Sequence, residues 1–325
     1  MRTTLNECMP QIQKVLAQGQ TSPSDFTLHD SGHAFRVARR MAEIVPPDVI
    51  PKLSTYDSAL LLLSAYLHDI GMTPEQRKVT LHYQYLLTGD PQELSHDETK
   101  EFQKWLDDEG RGIVPPLSQE RSTVATLRLS KELITYYCRH RHNDWSEEWT
   151  RGHLASYQMG TYVDWIDDLV GLCRSHHYGY HELVKEKFNP KLVGTPARVV
   201  HLRYLACVLR IADILEFDPE RTPDVILGHR DISPGSLIYW WKDHRVSMKQ
   251  EGDRLVMSAR PPRAYIHRAI EVTADQIDEE LRLCRTLADE THFEKCPGLI
   301  EDLPHRWGLV ASLHRDISAK DEAYE

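Results

Sequence analysis

The chain has no apolar run long enough to cross a bilayer. Its longest, Ala59 to Leu67, is broken by Ser64 and reaches about half of the roughly 18 residues that a span needs. The start, Met1 to Gln20, sets no basic residues ahead of an apolar stretch, so no secretory signal is visible and the cytoplasm is the expected compartment. Cysteine is sparse: Cys8, Cys138, Cys173, Cys207, Cys284 and Cys296 form no CxxC pair, and a chain of this size needs no disulfide staples. Reduced thiols are expected. Positive charge is short as well. With 39 Lys and Arg against 49 Asp and Glu, the net charge of -10 works against a broad surface for duplex nucleic acid. Small anionic substrates in a local basic pocket fit that balance better. Repeats and low-complexity tracts are missing, and a 325-residue chain that is 41% hydrophobic can bury a large core, which excludes a disordered chain.

Histidine is abundant: 18 residues, enough to search for a histidine-ligated metal site. Most of residues 1–234 reads as helix. Phe35, Val37, Ala38, Met41 and Ile44 recur at helical spacing until Pro46-Pro47 stops the run, and this helix carries His33. Residues 57–68 form an almost wholly apolar helix that ends before Gly71 and Pro74, with His68-Asp69 at its C-terminal end. Residues 73–119 turn polar, with breakers at Gly89-Asp90-Pro91 and Gly110 to Pro116, and read as an insertion or lid. Helices resume over 121–141, 155–177 and 196–216, the last with Pro196 in its first turn. Residues 235–325 read as a small α+β subdomain: short antiparallel strands at 236–241, 245–249 and 254–259, then a helix over 272–290. The expected class is mainly α with this α+β piece at the end.

Ligands must sit on rigid elements shielded from excess water, and five positions qualify: His33, His68-Asp69, His140 or His142, His176-His177, and Asp213. They lie about one helical hairpin apart outside the insertion, so helices returning to one end of a bundle would gather them. Imidazoles suit borderline divalent ions, and a carboxylate can bridge two of them. One ion is expected among His33, His68, Asp69 and Asp213. A second is expected among Asp69, His142, His176 and His177. His29-Asp30 and His96-Asp97 lie in polar surroundings and read as surface or capping residues. Asp213, inside the apolar turn of Leu209, Ile211, Ala212, Ile214 and Leu215, needs a charge partner if buried. Arg36 lies one turn after His33 and Arg210 one turn before Asp213, while Arg139, Arg141 and Arg174 flank the other histidines. Arg36, Arg139, Arg174 and Arg210 are the candidate phosphate clamps, with Arg36 and Arg210 also placed beside His68 and Asp69 in the catalytic set. Cys138, Cys173 and Cys207 read as core fillers.

The ordered set of His33, His68-Asp69 in LLLSAYLHDIGM and Asp213 in LRIADILEFDPERTP resembles the HD-domain metal-dependent phosphohydrolase superfamily over about residues 28–225. His142 and His176-His177 resemble the additional ligands of binuclear HD-GYP phosphodiesterases, although HHYGYHE is only reminiscent of the GYP motif. HDIGM, CRHRH and ADILEFDPERTP look closest to HD-CE-type domains, which are associated with GHKL-type ATPases. The resemblance implies an HD-domain helical bundle and hydrolysis of phosphoester or phosphoanhydride bonds, usually in nucleotides, with Mn, Fe, Mg, Zn, Ni or Co. It also implies a GHKL-type ATPase as a partner or module, with the chain a free-standing relative, a partner of a separate protein or an excised domain. Nucleotide or deoxynucleotide hydrolysis ranks first. A cyclic-nucleotide or oligonucleotide phosphodiesterase, a nucleotide-sensing module without turnover, and an oxygenase with a di-iron site stand behind it.

Overall fold

The segments with apolar residues at three- and four-residue spacing are helices in the computed structural model of the chain, which describes residues 1–18, 26–91, 93–109, 112–117, 123–217, 221–222, 227, 229–230, 232, 234–252, 254–289 and 312–318. Helix α1 (Arg2–Leu16) leads into α2 (Ser31–Ile44), which is capped by Asp30 accepting from the His33 N–H at 3.0 Å and buries His33, Val37, Met41 and Ile44 along one stripe. Helix α3 (Thr55–Leu67) opens with a reciprocal Ser54–Asp57 capping box and is apolar on nearly every side. Such a helix must be surrounded, and α3 packs against α1, α2, α7 (Trp165–Ser175) and α9 (Leu202–Ile214). That arrangement brings the ends of α3 and α7 and the flanks of α2 and α9 to one place.

Residues 73–119 carry two helices, α4 (Gln76–Thr88) and α5 (His96–Asp108), with Gly89 in the left-handed conformation (φ 74°) ending α4. Their apolar faces join α6 (Thr123–Leu154), a single 32-residue helix, in a second core made of Phe102, Trp105, Leu133, Tyr137, Cys138 and Trp145. Elsewhere α6 packs on α7, so one helix belongs to both cores. A four-residue helix α8 (Tyr180–Leu183) and a small antiparallel pair, β1 (Lys191–Val193) with β2 (Arg198–Val200), precede α9.

Helix α10 (Pro234–Asp243), β3 (Val246–Glu251), β4 (Arg254–Ala259), α11 (Ala264–Asp289) and β5 (Ser312–Ile317) complete the described chain. Antiparallel β3 and β4 turn at Gly252 (φ 65°), and β5 runs parallel to β4 in the order β3-β4-β5. Buried residues of β4 and α11 belong to the same core as α9.

Several segments depart from the sequence reading. Residues 236–241 are helical, not a strand: the buried residues Ser236, Trp240 and Asp243 fall at i, i+4 and i+7, and an aromatic-rich run disguises that period. The segment read as a helix over 196–216 starts six residues later. Pro196 lies between the paired strands β1 and β2, where Gly194 (φ 75°) supplies the reversal. The segment 155–177 is helical only from Trp165, because Gly160 (φ 60°) turns the chain into a Met159–Tyr162 bridge. The helix read at 121–141 extends to Leu154, and the C-terminal helix begins at Ala264. The small sheet is not purely antiparallel, since β5 joins it in parallel. Cys8, Cys138, Cys173, Cys207 and Cys284 are buried free thiols, while Cys296 lies outside the described residues. Among the described residues, no helix is long and apolar enough to cross a membrane.

Candidate metal centre

The ends and flanks of five helices converge on Asp69. Helix α3 ends at Leu67, His68 caps it, and Asp69 (φ -112°, ψ 15°) leads into a 3-10 turn, Ile70–Met72. That turn is pinned to α6: Gly71 N–H donates to Ser146 Oγ at 2.9 Å, and the Ser146 hydroxyl donates to the His68 carbonyl at 3.0 Å. Gly71 is required by the approach, since a Cβ there would lie 2.0 Å from the His142 carbonyl oxygen.

Two groups of side chains face each other across Asp69. His33 and His68 stand with Asp69 and Asp213 in one group whose ligand atoms lie within 4.8 Å of each other, and His142, His176 and His177 form a second. Asp69 Oδ2 is 3.5 Å from His68 Nε2 and 3.9 Å from His33 Nε2, whereas Oδ1 is 3.4 Å from both His142 Nε2 and His176 Nε2. Asp213 Oδ1 completes the first group at 3.4 Å from His68 and 3.9 Å from His33. His177 Nε2 lies 3.1 Å from His142 Nε2. Of the two competing histidines on α6, His142 enters the centre; His140 is 44% exposed and faces Glu109 at 3.9 Å.

The imidazoles are oriented from behind. Nδ1 of His33 meets Glu216 Oε2 (3.0 Å), Nδ1 of His68 the Ala65 carbonyl (3.1 Å), and Nδ1 of His142 the Arg139 carbonyl (2.5 Å); Nδ1 of His176 meets the Cys173 carbonyl. Acceptors at Nδ1 hold the proton there and leave each Nε2 lone pair pointing at the centre. Nε2 of His33 and of His68 is buried with no hydrogen-bond partner among the described residues, which is costly for a polar atom unless a cation takes the lone pair. Borderline nitrogen donors beside two carboxylates fit a divalent transition-type ion.

Electrostatics point the same way. Burial opposes charge on His68, yet Asp69 and Asp213 override it and push its pKa up to about 9, so the two carboxylates favour positive charge at this point. Burial also opposes ionisation of Asp69, but His68, His176 and His142 hold it well below the usual carboxylate range. Asp213 is lowered against its own burial, chiefly by His68. Burial drives His177 down to about 3 and lowers His142, keeping both neutral as ligation requires.

His29, expected at the surface or in a cap, is a correction. Asp30 caps α2 as expected, but His29 turns inward, its Nδ1 held by the Thr27 carbonyl (2.7 Å) and its Nε2 3.7 Å from Asp69 Oδ2. Burial and the neighbouring Arg221 lower its pKa to about 3. His96 and Asp97 are exposed in the first turn of α5. Glu216 is a second residue that motif reading missed. It is buried, receives His33 and Arg36, and lies 3.1 Å from Arg221. Its place three residues after Asp213 was the available signal.

The arginines divide by their partners. Arg36 donates to Glu216 and so supports His33 from behind. Arg174 is engaged by Asp144 and Glu147 (both 2.8 Å), and Arg141 by Glu101 and Asp144. Arg210 directs its donors to Glu280 on α11 and to the carbonyls of Ser175 and Tyr178, tying α9 to its neighbours. Arg139 lies over the rings of Phe26 (5.3 Å) and Tyr239 (5.1 Å) and borders the ligand-lined hollow. That hollow, of about 360 Å³, is lined by Asp69, His142, His176 and Asp213, and it adjoins a second of about 280 Å³ whose lining includes Arg221, beside Glu216, and Lys242, beside Asp243.

A helical bundle that gathers His33, His68-Asp69 and Asp213 at one end defines an HD-type domain. The HD-CE family model matches residues 24–283, and the chain belongs to the HD-CE family. No curated protein and no solved structure matches the chain.

Because Glu216 fixes the proton of His33, Glu216→Gln is expected to weaken divalent-metal affinity about 10–100-fold while the chain stays folded. A competition titration with a chelating indicator measures this, and unchanged affinity would remove Glu216 from the centre.

Proposed function

We propose that the chain is a metal-dependent phosphohydrolase acting on nucleotides, with two divalent ions shared through Asp69. The observation that carries this reading is the division of Asp69: one carboxylate oxygen faces His33 and His68, the other His142 and His176. His33, His68, Asp69 and Asp213 would hold one ion, and Asp69, His142, His176 and His177 the other. Bound there, such ions supply Lewis acidity toward a phosphoryl oxygen and lower the pKa of a water. Arg139 borders the hollow beside Asp69, and Arg221 and Lys242 border the adjoining one, so phosphate oxygens reaching the centre meet cations on that flank. His29 stays neutral and adds a nitrogen within reach of Asp69.

The test is a nucleotide panel incubated with Mn and other divalent ions and read by product mass. Product from at least one nucleotide, lost in His68→Ala, is expected. Nucleotide-induced thermal stabilisation without product over hours, or full turnover in His68→Ala, would overturn the reading.

Removing the ions should also lower stability. If each is present at about 100 times its dissociation constant, each contributes about 2.7 kcal/mol, about 5.4 kcal/mol for the pair. Chelation is therefore expected to drop the melting temperature by roughly 5–10 °C. Differential scanning fluorimetry with and without chelator, and after readdition of Mn, checks it; an unmoved transition argues against a resident metal.

A further inference from the structure

A larger hollow, about 740 Å³, opens beside the metal centre between α5 and α6 and shares Arg139, His142 and His177 with it. Its apolar wall comes from Trp105, Ile113, Leu129, Leu133 and Tyr136. Most of this lining lies on α6 at helical spacing: residues 129, 132, 133, 136, 139, 140 and 143 make one stripe. From His142 to Tyr136 the helix rises about 9 Å, a separation that a phosphate and its nucleoside bridge. One helix thus presents a metal ligand, a cation, an aromatic ring and a carboxylate in sequence.

Charge sorts what this hollow accepts. Glu109 and Glu132 line it, and Arg139, at the end toward the metal centre, is the only Lys or Arg among its described lining residues. Glu132 has no ion-pair or hydrogen-bond partner among the described residues. Two carboxylates repel a second phosphate and favour a neutral group with N–H donors. Tyr136, 38% exposed, lines the hollow and borders the space that a flat ring would fill. Guanine fits both demands, because its ring N–H and adjacent amino group present two donors side by side to the two oxygens of a carboxylate.

We propose that this hollow is the nucleoside-binding half of the active site and that it selects guanine, the base stacking on Tyr136 with its donor edge toward Glu132. The inference rests on the phosphohydrolase reading for the place of the phosphate, but nucleoside binding itself needs neither metal nor turnover.

The experiment is calorimetric titration of the 325-residue chain with guanosine, inosine and uridine, using wild type, Glu132→Gln and Tyr136→Ala. Inosine lacks only the 2-amino group. Wild type is expected to bind guanosine about ten-fold more tightly than inosine, the scale of one hydrogen bond to a charged group. Glu132→Gln should erase that ratio, and Tyr136→Ala should weaken guanosine about ten-fold. Unchanged melting temperatures would show that both variants fold, since Glu132 and Tyr136 are partly exposed. Equal affinity of wild type for the three nucleosides, no binding of any of them, or an intact guanosine-to-inosine ratio in Glu132→Gln would overturn the assignment. The two readings separate cleanly. Guanosine binding without hydrolysis of any nucleotide sinks the catalytic reading and leaves the hollow; hydrolysis without base preference, unchanged in both variants, does the reverse.

Discussion

Asp69→Asn is expected to cost both of the proposed metal positions at once. Asparagine keeps the shape but turns one edge of the group into an NH2 donor, and Asp69 has no idle edge: Oδ2 serves His33 and His68, Oδ1 serves His142 and His176. Metal affinity should fall by more than about 100-fold, beyond the upper end of what changes behind a ligand cost. Turnover should fall with it. Asp213→Asn is the informative companion, because Asp213 lies within 4 Å of His33 and His68 alone among the candidate ligand histidines. It should deplete one ion and spare the other. Metal per chain, counted by mass spectrometry in wild type and both variants, reads the difference. Equal stoichiometry in Asp69→Asn and wild type would end the idea that this carboxylate is shared.

The second large effect is steric. In Gly71→Ala the new methyl group would lie 2.0 Å from the His142 carbonyl oxygen and 2.8 Å from the Ser146 nitrogen, both backbone atoms of α6. Neither can swing aside as a side chain would, so the turn carrying Asp69 must lift away from the helix carrying His142. Overpacking of this kind costs about 1–3 kcal/mol, or roughly 1–4 °C in melting temperature for a chain of this size. Activity should suffer more than stability, because the displacement separates Asp69 from His142. Ser146→Ala provides a gentler control. It removes two hydrogen bonds from the same turn without adding bulk, and its loss of activity should be partial. A Gly71→Ala protein with wild-type turnover would show that the turn and α6 move independently.

The histidine pattern was legible because its logic is local. His68-Asp69 ends an apolar helix, and Asp213 interrupts one, so each polar residue stands out against its own neighbours. His29 lacks such contrast. Its apolar and cationic surroundings, Phe26 and the distant Arg221, are assembled by the fold. Arginine roles were hidden for the same reason. The partner of Arg210 lies 70 residues away and that of Arg36 180 residues away, so spacing along one helix face could suggest a clamp but could not reveal an engaged guanidinium. Residues 236–241 misled in a different way, since short aromatic-rich runs suit strand and helix alike until burial chooses the period. The parallel pairing of β5 with β4 depends on a partner more than 50 residues distant, which no local pattern encodes.

The 32-residue span of α6 has a thermodynamic consequence. Its Leu133, Tyr137 and Cys138 are locked into the α4–α5 core, while Leu154 belongs to the core of the bundle. Breaking a helix in its middle forfeits hydrogen bonds on both sides of the break without releasing either end to gain much entropy. The two cores are therefore coupled in their unfolding, and His142 sits on the stretch that couples them. This candidate ligand lies where local fraying is least favourable, so the site inherits the cooperativity of the whole fold rather than the lower stability of a loop.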